Sequence, residues 1–133
     1  MLKIAVIDDD ETEVEIWKRL QERHFSGLIN VSVFQEIPAA LESIKNADYD
    51  TVIVDNYIPP HKTAKYALDA LKDISFVGRV IVFSNSDLKT LASLLGSNVD
   101  AELFSKEDFI TIPDMIDFVN ENLLPSYSQS LKA

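Results

Sequence analysis

Residues 4–11 read Ile4-Ala5-Val6-Ile7-Asp8-Asp9-Asp10-Glu11, four apolar residues running straight into four acids. The apolar run lacks the alternation of a half-solvated strand, so both of its faces must be covered. The same form returns twice: Thr51-Val52-Ile53-Val54 leads into Asp55, and Val80-Ile81-Val82-Phe83 leads into Ser84. Strands covered on both faces belong to parallel sheets flanked by helices.

Working outward, the strand candidates are residues 3–7, 29–34, 51–54, 79–83 and 101–104. Helical patterns fill 11–25, 37–46, 64–75, 88–95 and 112–124. In the first helix Val14, Trp17, Leu20 and His24 or Phe25 recur at helical spacing. Ala64, Ala67, Leu68 and Leu71 do so in the third, and Met115, Ile116, Val119 and Leu123 in the last, where Asp114, Asp117 and Glu121 form a solvated face. Five β–α units in 133 residues predict a single α/β domain. Its expected fold is a flavodoxin-like, doubly wound, five-stranded parallel sheet in the order 2-1-3-4-5. The domain is expected to occupy residues 1–124, with 125–133 as a C-terminal tail.

Composition narrows the function. The chain is 47% hydrophobic and 26% charged, a globular balance. Its formal net charge of −10 repels phosphate backbones and anionic lipids, so neither nucleic acid nor membrane is an expected partner. No apolar run approaches the roughly 20 residues of a membrane span. The start, MLKIAVIDDD, is too short in apolar residues for a secretory signal, and a cytoplasmic location follows as the expectation. With no Cys and two His, a disulfide framework is excluded and a structural zinc site disfavoured. Gly27, Gly78 and Gly96 are too scattered to cradle phosphate, so any phosphate chemistry must use side chains and a metal.

In a doubly wound sheet, sites form at the carboxyl ends of the strands, where the strand order reverses. Asp8, Asp9 and Asp10 follow the first strand, Asp55 the third, Ser84 the fourth and Lys106 the fifth. One acid, Asp10, is placed to cap the next helix. The others would meet at one edge. Unit charges ~4 Å apart repel by about 4 kcal/mol at an effective dielectric of 20, so converging carboxylates shift their pKa values or admit a cation. Mg²⁺, a hard ion that keeps several waters, suits such oxygen donors.

The arrangement resembles the receiver domain of bacterial two-component response regulators, from Lys3 to about Leu124. The resemblance is carried by Asp8 and Asp9, by Asp55 with Pro59 four residues later, by Ser84 and by Lys106. It implies that Asp55 is the phosphoacceptor. Asp9, Asp55 and the backbone carbonyl of Tyr57 would ligate Mg²⁺, with Asp8 acting through water. Ser84 and Lys106 would hold phosphoryl oxygens. The implied donor is a histidine kinase or histidine phosphotransfer protein, and the signal would leave through a downstream protein target. The implied output face spans residues 88–95 and 101–124; a homodimer through that face is left open. With only one helix and a tail after Lys106, a stand-alone receiver is expected. Four features depart from the family pattern: Leu103 stands where a switch aromatic is usual, Asn85 where Ala or Gly is usual, Glu107 where Pro is usual, and the loop 59–63 lacks the Gly common there.

Two other readings compete. Asp8-Asp9-Asp10-Glu11-Thr12 also fits the DxDxT signature of haloacid-dehalogenase-type phosphatases, with Asp8 as nucleophile and Asp10 as general acid. That reading leaves Asp55 without a role. The departures motivate a pseudo-receiver, a binding module that signals without phosphate.

Overall fold

The apolar runs form the strands they predict. The computed structural model describes residues 1–55, 64–84, 101–106, 109 and 111–125. Strands β1 (Leu2–Ile7), β2 (Ile29–Phe34), β3 (Thr51–Asp55), β4 (Arg79–Ser84) and β5 (Glu102–Ser105) make one sheet in the order β2-β1-β3-β4-β5. Every pairing is parallel. Helix α1 (Glu11–Arg19) continues as a π-helical turn over Leu20–His24. Helices α2 (Ile37–Asn46) and α3 (Ala64–Asp73) follow, and α4 (Ile112–Phe118) again runs into a π turn, Val119–Leu123. The helix expected at 88–95 and all of the tail but Pro125 lie outside the described residues.

The central strands are buried because both faces are packed. All five residues of β3 are buried, and so are all of β1 except Lys3. Ala5, Ile7, Val52, Val54 and Val82 face α2 and α3, meeting Ile37, Ala40, Ile44, Leu68 and Leu71. Ile4, Val6, Ile53, Ile81 and Phe83 face α1 and α4, meeting Trp17, Leu20, Met115, Phe118 and Leu123. Each such Val, Leu, Ile, Met or Phe side chain stabilises the fold by roughly 1.5–3 kcal/mol when fully buried. On the second face Phe83, Phe104, Phe109 and Phe118 pack as a cluster, with every pair of ring centroids between 5.0 and 5.9 Å apart.

One open choice is settled and two details differ from expectation. Of His24 and Phe25, the inward residue at the end of the first helix is Phe25: its N–H donates to the Leu20 carbonyl at 2.9 Å, five residues back, and the wider turn moves the inward position by one. In α4 the buried arc includes Phe118, while Ile116 is only partly buried. Asp114 is not simply solvated. It caps α4 by accepting the Thr111 N–H at 3.1 Å while Thr111 Oγ1 accepts the Asp114 N–H at 3.2 Å, leaving Asp117 and Glu121 exposed.

The edge of the sheet away from the acids is stitched through Asp50. Lys3 N–H donates to Asp50 Oδ2, and Asp50 N–H donates to the Lys3 carbonyl, both at 2.8 Å; Arg79 N–H donates to the Asp50 carbonyl at 3.0 Å. Gly78 sits so close that a Cβ there would lie 2.7 Å from that carbonyl oxygen. The Arg79 guanidinium pairs with Glu102 and the Asn122 carbonyl, joining β4, β5 and the last turn. These ties fix the stagger of the strands, which brings the C-terminal ends of β1, β3, β4 and β5 to one rim.

Candidate functional site

Both β3 and β4 run one residue further than the apolar pattern marks, so Asp55 and Ser84 are the last residues of their strands. Asp55 is in register with Phe83, and Ser84 with Ser105. Their backbones are therefore held in the ladder rather than in a loop. Asp8 is fixed similarly: its N–H donates to the Phe34 carbonyl at 2.9 Å, extending the β1–β2 pairing by one bond.

The three acids after β1 divide their work. Asp8 is buried, and its Oδ1 accepts the Asp10 N–H at 3.0 Å, bending the chain into α1. Asp10 turns away to cap that helix, accepting the Thr12 N–H at 2.9 Å. Asp9 is exposed between them. One carboxylate oxygen from each of Asp8, Asp9 and Asp55 lies within 4.8 Å of the other two. Two buried carboxylates and one open to solvent are hard donors with space for water on the outer side, a set that fits Mg²⁺. The Tyr57 carbonyl, the loop 59–63, Asn85 and Glu107 lie outside the described residues.

Lys106 enters from the end of β5. Its Nζ is 3.0 Å from Asp55 Oδ1 and 3.5 Å from Asp8 Oδ2. Among the described residues one ammonium, paired with Asp55 and Asp8, thus stands against the three clustered carboxylates. Ser84 is buried beside them, 2% exposed. Burial, above all, pushes Asp8 up from 3.8 to about 6; the Asp55 charge adds to the rise, while the Asp10 N–H and Lys106 oppose it. Burial also works against the Lys106 ammonium, but the hydrogen bond to Asp55 and the charges of Asp55 and Asp8 outweigh it and hold its pKa above the usual value.

Sequence reasoning missed Glu13. It sits in the first turn of α1, half-buried, and lines a cavity of about 20 Å³ with Asp8, Asp55 and Lys106 above a floor that includes Trp17 and Phe109. Burial raises its pKa, Lys106 lowers it, and Asp10 and Asp55 raise it further. The signal was Trp17, four residues on: a core tryptophan places the residue one turn earlier on the same inner face.

No family model and no curated protein sequence matches the chain. Solved structures do. A response regulator receiver domain protein of Clostridium thermocellum superposes with a TM-score of 0.71 at 24% identity, covering 100% of both chains. A CheY-like receiver domain protein of Methanospirillum hungatei gives 0.72 at 20% identity, over 97% of this chain and 98% of that one. A Francisella response regulator receiver domain gives 0.65 at 24% identity, over 90% and 94%. The chain has the fold of a response regulator receiver domain.

Within this receiver fold the five-stranded order and the acid rim coincide as the sequence predicts. The two sides of β5 also separate as strand alternation requires. Leu103 packs with the α2–α3 cluster, and Phe104 packs with the α1–α4 cluster. Phe104 therefore does not replace the aromatic missing at position 103. Asp10, the general acid of the phosphatase reading, is the cap of α1, while Asp55 stands inside the carboxylate cluster.

Proposed function

We propose that the protein is a response regulator receiver that accepts a phosphoryl group on Asp55 from a phosphohistidine of a histidine kinase or histidine phosphotransfer protein. The observation that carries this reading is the meeting of Asp8, Asp9 and Asp55 at one rim, with the Lys106 ammonium 3.0 Å from Asp55. In the transfer, an Asp55 carboxylate oxygen forms a bond to phosphorus, the phosphorus–nitrogen bond breaks, and the imidazole leaves with its electron pair and takes a proton. Asp55 is suited to this role because β3 holds its backbone and a buried wall holds its side chain.

Asp9, Asp55 and the Tyr57 carbonyl would hold Mg²⁺, with Asp8 acting through water. The ion supplies charge neutralisation for the transferring group. Lys106 moves from the Asp55 carboxylate to a phosphoryl oxygen, and the Ser84 hydroxyl donates to another. The resulting dianion biases the surface built from β5 and α4, through which a downstream protein is engaged. With Leu103 in place of an aromatic, switching at this surface runs without an aromatic rotation at position 103. The protein acts in the cytoplasm. Among the described residues no helix is long and apolar enough to cross a membrane.

The test is incubation with acetyl phosphate, with and without Mg²⁺, followed by intact mass spectrometry. Stoichiometric addition of one phosphoryl group that needs Mg²⁺ and disappears in Asp55→Asn supports the reading. Repeated turnover of a phosphomonoester without Asp55 would instead indicate a phosphatase.

A further inference from the structure

Glu13 is a carboxylate that the proposed transfer does not use. Its oxygens fall outside the three-carboxylate group that fits the cation. Yet the chain aims it inward: Asp10 caps α1, Glu13 follows in the first turn, and Trp17, on the same face, is 1% exposed. Glu13 shares its cavity with Asp8, Asp55 and Lys106. Among the described residues Lys106 is the only cationic one lining that cavity, and its close partners are Asp55 and Asp8. Among the described residues the rim and cavity together therefore set four carboxylates, Asp8, Asp9, Asp55 and Glu13, against one ammonium.

This excess acts in opposite directions on the two ligands of the site. A divalent cation is attracted by every negative charge around it. A phosphoryl group at Asp55 replaces a monoanion by a species of about −1.5 to −2 charge and is repelled by the same charges. In the proposed reading Asp9 and Asp55 ligate the ion and Asp8 acts through a bound water, so their charge cannot be separated from their part in holding it. Glu13 contributes through its field alone, from a half-buried position where solvent screens it only in part.

We propose that Glu13 sets the balance between cation and phosphoryl group at this rim, strengthening the hold on the divalent ion and weakening the hold on the phosphoryl group. The inference rests on the phosphoacceptor reading of Asp55 and adds a regulatory residue to it. It assigns to α1 a control over signal strength that is independent of the metal ligands.

The test compares wild type with Glu13→Gln and Glu13→Met. Trp17 lines the same cavity, so its fluorescence reports both titrations. Mg²⁺ is titrated first, and beryllofluoride is then titrated at saturating Mg²⁺. Both variants are expected to bind Mg²⁺ roughly three- to tenfold more weakly and beryllofluoride more tightly by a similar factor, as removal of one partly buried charge requires. The fraction labelled by acetyl phosphate at saturating Mg²⁺ rises in step. A purely structural role would weaken both ligands together, and that result, or no change in either, overturns the inference. The wild-type arm separates the two levels: failure of wild type to bind beryllofluoride at all sinks the phosphoacceptor reading and the inference with it. Normal wild-type binding with unchanged variants sinks only the role of Glu13.

Discussion

Replacing Asp8 by Asn tests the electrostatics of the rim without changing its shape. The amide oxygen can still accept the Asp10 N–H, so the turn into α1 is kept. In the metal-free protein Asp8 ionises near 6 rather than 3.8. At about 1.36 kcal/mol per pKa unit, that difference is ~3 kcal/mol against the charged form. Solvent screening at the open rim reduces it to about 1–2 kcal/mol. The sign follows from proton binding: between about 4 and about 6 the folded protein holds the Asp8 proton more tightly than the unfolded chain, so stability falls as pH rises through this window and then levels off. Glu13, whose pKa is also raised, adds in the same direction. Urea unfolding in EDTA should find Asp8→Asn more stable than wild type by about 1–2 kcal/mol at neutral pH, with the gap closing toward pH ~4.5. Saturating Mg²⁺ should reverse the order, because ion binding stabilises wild type by linkage. An Asp8→Asn protein less stable than wild type at neutral pH in EDTA would refute this reasoning, since Lys106 would then outweigh the burial of the charge.

Lys106→Met removes the cation 3.0 Å from Asp55; the metal-free protein should lose roughly 1–3 kcal/mol in urea unfolding while calorimetry shows tighter Mg²⁺ binding. Ser75 ends α3 at φ 59°, where its N–H donates to the Lys72 carbonyl and the Phe76 N–H to the Leu71 carbonyl; Ser75→Gly relieves the left-handed strain and should stabilise by about 0.5–1 kcal/mol in denaturant melts. Phe118→Ala opens the four-phenylalanine cluster and should cost about 3–5 kcal/mol by the same measurement.

What the sequence displayed was whatever local pattern determines. The runs from Ile4 to Ile7 and from Thr51 to Val54 could only be strands packed on both sides, and they are. Three such runs, with two further strand candidates and helical spacers, left one natural sheet order, which is the one observed. Asp10 was legible as a cap because acids before a helix satisfy free N–H groups. Less legible were features set by exact helical phase. The choice between His24 and Phe25 fell to Phe25 because a π turn shifts the register by one residue, and Phe118 joins the buried arc because the aromatic cluster on β4 and β5 draws it in. Glu13 was hidden by its type: among 22 acidic residues an exposed one is the default, and only the inward phase set by Trp17 marks it out. Strand ends were read one residue short at Asp55 and Ser84 because polar side chains end a hydrophobic pattern before the backbone ladder stops.

The account depends on carboxylates from β1 and β3 sharing one divalent ion. Calorimetric titration of Mg²⁺ into wild type and Asp55→Asn measures this directly. One ion per chain in wild type, with affinity at least about tenfold weaker in Asp55→Asn, is the predicted result. Equal affinity in the two proteins would contradict it.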